Sequence, residues 1–206
     1  MKILIVYCHP SKNSFTYKVT EEFIKGLTTA GHDFILSDLY AMEFNSELSE
    51  EEYEREAYYQ SDIPVSNDVQ QEQEKIQQSD AIVFIYPVFW TEAPAKLVGW
   101  FDRVWSCGFA YGENPSMKQL ERVLCIAIAG KTKQSLKETF DEEAMRTVML
   151  GDRIHNRAKM KEMIILDGTT RWDEEIRQKN IAQHIKTAYR LGLEFDTEWS
   201  QWGSNP

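Results

Sequence analysis

Residues Ala81–Tyr111 read AIVFIYPVFWTEAPAKLVGWFDRVWSCGFAY, and the parsing of this stretch decides the fold. Ala81–Tyr86 is an unbroken apolar run, the pattern of a strand covered on both faces of a parallel sheet. Pro94–Ser106 then carries large apolar residues at helical spacing. Between them lies Pro87-Val88-Phe89-Trp90-Thr91-Glu92-Ala93-Pro94, with two prolines and two large aromatics in eight residues. Apolar rings left in water cost roughly 1.5–3 kcal/mol each relative to burial, so these rings are expected to cover something flat. In an open α/β sheet, a loop at the carboxyl end of a strand is where ligands bind.

Working outward, further strand-like runs fall at Ile3–Tyr7, Phe34–Ser37, Val123–Ala129 and Met163–Leu166. Helical patterns separate them at Thr16–Ala30, Asp68–Gln78, Lys133–Met149 and Glu174–Leu193. In the first helix Val19, Phe23, Ile24 and Leu27 give a single buried stripe, and Gly31 is a plausible stop. Strands alternating with helices indicate a doubly wound α/β fold, and five strands in place of six favour the flavodoxin-like order 2-1-3-4-5 over the longer dinucleotide fold. Residues 1–196 are expected to form one domain and 197–206 a peripheral tail. Asp38–Asn67 is a long insertion. Its acidic cluster from Glu43 to Glu56 is expected to be a solvated surface helix or excursion.

The chain has 206 residues, 42% hydrophobic and 12% aromatic, which suits one well-filled globular unit. A net charge of −10 argues against nucleic-acid binding. No apolar run approaches the roughly 20 residues of a membrane helix. The run Met1–Tyr7 is too short for a signal peptide and Cys8-His9-Pro10 is no cleavage site, so a cytoplasmic location is expected. Three scattered cysteines, Cys8, Cys107 and Cys125, fit a reducing compartment.

After the first strand comes Cys8-His9-Pro10-Ser11-Lys12-Asn13-Ser14-Phe15-Thr16. No glycine fingerprint is present. What remains is a polar loop opening a helix whose hydroxyls, amide group and free N–H groups suit a phosphate. The same residues also read as an ordinary helix cap by Ser14 or Thr16. Gly130-Lys131-Thr132 resembles the end of a nucleoside-triphosphate loop, but Cys125 stands where the first glycine belongs. Cys8 lacks the arginine that a thiol phosphatase needs, since position 14 is Ser14, so it reads as a small apolar strand-end residue. The four histidines have no metal-ligand spacing, and His32 and His184 are expected on exposed helix or turn positions. With no protein-borne nucleophile in sight, the chemistry is expected to belong to a cofactor, and no metal is expected.

Three loops, 8–16, 87–94 and 129–135, should meet in one crevice. The first suits phosphate. The second offers N–H groups at Phe89, Trp90 and Thr91, and the third has small residues that let backbone approach a ring. A flavin matches this combination. A proline-braced loop that merely sends its aromatics into the core is the plain alternative.

The chain resembles the NAD(P)H:quinone oxidoreductase family of DT-diaphorase type, including its bacterial quinone-reductase and potassium-efflux-ancillary branches. The resemblance is carried by His9 with Ser14-Phe15-Thr16, by Ser37-Asp38-Leu39-Tyr40-Ala41-Met42, and by Pro87 and Trp90 followed by Pro94-Ala95, Leu97, Gly99-Trp100-Phe101-Asp102-Arg103-Val104 and Phe109-Ala110-Tyr111. It covers most of residues 1–130 and weakens beyond Gly130. It implies a homodimer with two sites at the subunit interface. His9, Asn13, Phe15 and Thr16 would hold the flavin pyrophosphate and ribityl chain, with Ser14 beside them. Pro87, Val88, Phe89, Trp90 and Thr91 would hold the isoalloxazine, and Ala129 and Gly130 its far edge. Tyr111 would reach into the partner's substrate pocket, which Trp90 also lines. Trp100, Phe101 and Trp105 would serve either the dimer surface or the core.

Two departures stand out. Ala127-Ile128-Ala129-Gly130 replaces the family's frequent Thr-Thr-Gly-Gly. A downstream Tyr and His that manage charge on the reduced flavin in some members align near Ser135 and Asp141, so that relay is absent. The implied reaction is two-electron hydride transfer from NAD(P)H through the flavin to a quinone or similar acceptor. FAD is favoured, with FMN the alternative. The rival readings are a flavin-binding regulatory subunit of a membrane transporter and a flavodoxin-type electron carrier.

Overall fold

A computed structural model describes residues 1–197. Five strands, β1 (Lys2–Tyr7), β2 (Asp33–Asp38), β3 (Ala81–Pro87), β4 (Leu120–Ile128) and β5 (Ala158–Leu166), form one sheet in the order β2-β1-β3-β4-β5. Every neighbouring pair is parallel. This is the expected flavodoxin-like arrangement. β3 is buried at every position, as its unbroken apolar run requires.

Alternate side chains of the sheet feed two dry layers. Ile3, Ile5, Val83, Ile85, Leu124 and Ile126 pack with α1 (Phe15–Thr29) and α7 (Glu174–Leu193). Leu4, Val6, Ile82, Phe84, Val123 and Cys125 pack on the other face with α3 (Asn67–Gln78) and α4 (Ala95–Val104). The α1 stripe is buried at Val19, Phe23 and Leu27. Ser14 is the N-cap, accepting from the Tyr17 N–H at 3.0 Å, and Thr16 lies inside the helix. α1 and α7 cross at two glycines. A Cβ at Gly192 would stand 2.1 Å from the Phe23 carbonyl oxygen, and one at Gly26 would stand 2.1 Å from that of Tyr189.

Trp100, Phe101 and Trp105 are buried, and their rings contact one another edge to face at 5.1–5.6 Å between centroids. Of their two expected uses the structure gives core packing. Buried polar anchors tie this layer together. Glu72, fully buried, accepts from Trp100 Nε1 at 2.9 Å, from Ser37 at 3.1 Å and from Lys75 at 2.5 Å.

The structure corrects several expectations. The helix expected over Lys133–Met149 is broken into α5 (Lys133–Glu138), α6 (Asp141–Arg146) and a π-helical segment, Thr147–Ile154. Phe140, at φ 59°, ends the first piece, and Asp141, Glu142 and Glu143 open a new helix with acidic residues at its positive end. β5 begins five residues earlier than its apolar run, because at the sheet edge its first half carries Lys159, Lys161 and Glu162 at exposed or half-buried positions.

The insertion is not merely a solvated excursion. It contains α2 (Glu50–Ala57), capped reciprocally by Ser49 and Glu52. Glu50, Glu51 and Glu54 are exposed, whereas Glu52 and Glu56 turn inward to buried arginines. His32 and His184 are not exposed either. The His32 side chain, 6% exposed, packs edge-on against Phe195, and His184 Nε2 lies 2.8 Å from the Asp167 carbonyl beside the Phe15 ring. The expected tail at 197–206 lies, apart from Thr197, outside the described residues.

Candidate active site

Because β1, β3 and β4 are parallel neighbours, the loops that leave their carboxyl ends emerge along one edge of the sheet. Backbone bonds fasten these loops to adjacent strands. The Cys8 N–H donates to Ile85 O at 3.1 Å, Val88 N–H to Ile128 O at 2.8 Å, and Ala129 N–H to Leu166 O at 2.9 Å. His9, Asn13, Ser14, Phe15 and Thr16 therefore share this edge with Pro87, Val88, Phe89, Trp90 and Thr91, and with Ala129 and Gly130.

The β1 loop is held by its own hydrogen bonds. Ser11 organises it: its N–H donates to His9 Nδ1 at 2.9 Å, its hydroxyl accepts from Asn13 N–H at 3.2 Å, and its carbonyl accepts from Ser14 N–H at 3.2 Å. Burial lowers the pKa of His9. A ring whose Nδ1 accepts from an amide carries its hydrogen on Nε2, which is left to donate. The Phe15 and Thr16 N–H groups at the start of α1 have no partner among the described residues. The Tyr7 hydroxyl is buried, and burial, partly offset by the nearby Ser14 side chain, pushes its pKa up to about 12.

The β3 loop makes a two-residue turn. Phe89 N–H donates to Glu92 O at 2.9 Å and Glu92 N–H returns to Phe89 O at 3.0 Å. Trp90 takes φ 60° at the first central position, where such turns ordinarily place glycine. That strained backbone thrusts its indole outward, 96% exposed, with Phe89 about half exposed beside it. Of the three amides expected to meet a ring, Phe89 is used within the turn. Trp90 and Thr91 remain unpartnered among the described residues. Glu92 anchors the turn by accepting from Arg153 Nη1 at 2.9 Å, and Arg153 in turn stacks 5.1 Å from the Phe101 ring centroid.

The β4 loop is roofed by the segment after β5. Thr169 N–H donates to Ala129 O at 3.1 Å, Thr170 N–H to Gly130 O at 3.3 Å, and Gly168 N–H to Lys131 O at 2.8 Å. The Asp167 carboxylate accepts from Lys133 N–H at 2.6 Å. This roof escaped the sequence reading, although Asp167-Gly168-Thr169-Thr170 directly after a strand is a turn signal. Asp141, noted in the sequence only as a position where the family's relay is absent, has contacts that the sequence did not foretell. Its carboxylate accepts from Lys131 Nζ at 2.5 Å, from Thr139 at 2.7 Å and from Thr91 at 3.2 Å.

Tyr111 does not join these loops. It lies between α4 and β4, near the amino ends of the strands, where its hydroxyl donates to Glu56 at 2.5 Å and its ring meets Tyr59 edge to face. Burial, then the Glu56 carboxylate, raise its pKa. The neighbouring Ala110 carbonyl accepts from Arg157, just ahead of β5, which fixes the same end of the sheet. Among the described residues no helix is long and apolar enough to cross a membrane, and no group of three His, Cys, Asp or Glu side chains suits a metal ion.

Comparison with known proteins agrees with this fold. A family model described as Flavodoxin-like fold matches residues 1–190. The solved NAD(P)H:quinone oxidoreductase of Methanothermobacter marburgensis superposes with a TM-score of 0.88 at 41% identity, covering 96% of this chain and 98% of that one. The NAD(P)H dehydrogenase [quinone] 1 of Cavia porcellus is 35% identical over 53% of this chain and 45% of its own. An NAD(P)H oxidoreductase of Haemophilus influenzae is 35% identical over 61% of this chain and 64% of its own. The chain thus spans about half the length of the mammalian relatives it matches. The family match over residues 1–190, together with 41% identity across nearly all of the archaeal protein, shows that the chain belongs to the flavodoxin-like fold family, among its NAD(P)H:quinone oxidoreductases.

Proposed function

We propose that this chain is a flavin-dependent NAD(P)H oxidoreductase that reduces quinones or related acceptors by two-electron hydride transfer. The observation that carries the proposal is the donor set along one sheet edge: amides at Phe15, Thr16, Trp90 and Thr91 that have no partner among the described residues, and a glycine-opened ledge at Ala129–Gly130. These groups fit a flavin from its phosphate to its ring. When bound, the flavin would supply the redox chemistry, accepting hydride from NAD(P)H and yielding it to the acceptor.

The chain's own residues bind and orient. His9 Nε2 and the α1 amides, with Asn13 and Ser14 alongside, would hold the phosphates at a helix N-terminus. Pro87 and Val88 would floor the ring, Phe89 would flank it, and the Trp90 and Thr91 amides would donate to its edge. Fixed donors of that kind act by the electrostatic logic of an oxyanion hole. Trp90 would cover the position that nicotinamide and acceptor occupy in turn, and such orientation can be worth roughly 7–11 kcal/mol in well-aligned systems. FAD is the favoured flavin, FMN the alternative. Tyr111 stands at the opposite end of the sheet from the loops, so its part in a pocket would be played toward a second copy in a homodimer. A cytoplasmic location accords with the scattered, buried thiols.

An absorption spectrum of the purified protein tests the proposal. Bands near 375 and 450 nm that bleach on anaerobic NADPH addition are expected of a flavoprotein, and acid release would identify FAD or FMN. A colourless protein that takes up neither flavin would defeat it.

A further inference from the structure

The Lys131–Asp141 pair lies on the rim of the crevice and is built from two of its loops. Lys131 follows β4, Thr91 belongs to the β3 turn, and Asp141 opens α6 after the break at Phe140. Asp141 is the knot. One carboxylate oxygen accepts from Thr91, and the other accepts from both Lys131 and Thr139. The Lys131 and Thr139 bonds, in that order, hold its carboxyl below the usual range, so it is ionised at neutral pH.

The pair has a direction. The Asp141 side chain is 15% exposed and that of Lys131 is 50% exposed, so the carboxylate is sheltered and the ammonium faces out. Lys131 has three donors and gives one to Asp141, which leaves two for an anion on the rim. The backbone around it is pinned, by Thr170 N–H on Gly130 O, by Gly168 N–H on Lys131 O and by Asp167 on Lys133 N–H, so the root of this side chain is fixed. The distinctive chemistry next to it, on the reading above, is a ring that gains negative charge when reduced.

We propose that Lys131, positioned by Asp141, is the cation that balances the charge of the reduced flavin, and that Asp141 tempers that cation while locking the β3 and β4 loops together. The inference rests on the flavin reading. It assigns the two residues opposite electrical effects on one quantity, the preference of the site for reduced over oxidised flavin. A group that only braces the loops would not produce opposite signs.

The test is the midpoint potential of the bound flavin, read by anaerobic spectral titration in the flavin-loaded protein, its Lys131→Met variant and its Asp141→Asn variant. Lys131→Met is expected to lower the reduced-over-oxidised preference roughly tenfold, a potential about 30 mV more negative for a two-electron couple. Asp141→Asn, whose amide oxygen can still accept from Thr91, is expected to move the potential the other way. An unshifted potential in Lys131→Met, or a shift of the same sign in both variants, would overturn the assignment while leaving the flavin reading intact. If the unsubstituted chain takes up neither FAD nor FMN, the flavin reading falls and carries this inference with it. Dissociation constants of oxidised flavin, measured by fluorescence quenching, should stay within about threefold in Lys131→Met, since the oxidised ring carries no charge for it to balance.

Discussion

Replacing Arg103 by methionine should destabilise the fold by about 3 kcal/mol, and the loss should depend on pH. Arg103 projects from α4 with its side chain 3% exposed and holds the insertion against the sheet. Its guanidinium donates to Glu52 at 2.6 Å, to Asp68 at 2.6 Å, to the Asn45 carbonyl at 2.7 Å and to the Ser66 hydroxyl at 2.8 Å, while stacking 5.2 Å from the Phe44 ring centroid. Removing one member of a buried ion pair costs about 3–5 kcal/mol, mostly because the partner is left charged and unpaired. Here the partners can recover some water, since the Glu52 and Asp68 side chains are 18% and 36% exposed, which selects the low end. Methionine also refills much of the volume. A loss of about 3 kcal/mol is large against a total of about 5–15 kcal/mol and corresponds to a melting point lower by roughly 6–12 °C for a chain of this size.

The pH dependence follows from the carboxylates. Burial alone would raise the pKa values of Glu52 and Asp68, but their bonds to Arg103, Ser49 and Ser66 overcome it and hold both below the ordinary range. A group depressed in the folded state contributes stability above its unfolded pKa, about 4 for these acids, and loses it as pH falls through the folded value. The gap between the natural chain and Arg103→Met should therefore be full at pH 7 and shrink below about pH 4. Urea denaturation at pH 7 and pH 3.5 measures it. A gap under 1 kcal/mol at pH 7, or one that stays constant into acid, would show that the arginine acts by packing alone.

Three further outcomes are expected. Gly192→Ala should destabilise by about 2 kcal/mol or more, because the new Cβ meets backbone at 2.1 Å where nothing can rotate away; a thermal melt within 1 °C of the parent would contradict the close α1–α7 crossing. Trp90→Ala should leave the melting point nearly unchanged, since the ring is solvated and the strained φ is no worse for alanine, yet weaken flavin retention; unchanged flavin content after gel filtration would remove Trp90 from the site. All three thiols are buried, and burial pushes Cys8 and Cys125 up to about 12. At pH 8 those two are thiolate in roughly one molecule per ten thousand, so a disulfide reagent should react only after denaturant is added.

Where one physical signal dominated, the fold was legible. β1 from Ile3, β3 throughout and β4 from Val123 are buried and read as unbroken apolar runs, and α7 matched its expected bounds because amphipathic spacing and an Asp173 cap agree. Legibility failed where polar residues turned inward. Glu52 and Glu56 look like their exposed neighbours Glu50, Glu51 and Glu54 until Arg103 and Arg55, distant or unremarked in the chain, are placed against them. His32 and His184 misled for the same reason: a ring at a helix or turn is polar by composition, but only the fold brings Phe195 and the Asp167 carbonyl to it.

The candidate site shows the same division. Its phosphate and ring loops were visible because strand-loop-helix order and misplaced aromatics are local signals. Its rim was not, because the rim depends on a break. Lys133–Met149 has enough apolar residues at helical spacing to read as one helix, and a continuous helix would carry position 141 about two turns from Lys133, away from the β3 turn. The chain instead stops at Thr139, whose hydroxyl reaches both the Ser135 carbonyl and the Asp141 carboxylate, and Phe140 takes the left-handed turn that restarts it. That restart brings Asp141 to Lys131 and Thr91. If Phe140 and Thr139 set the rim in this way, Thr139→Ala should disturb the Lys131 charge pair without touching either charged residue. Its effect on the flavin potential should then resemble a weaker form of Asp141→Asn, and a potential identical to that of the natural chain would show that the break, though real, does not govern the site.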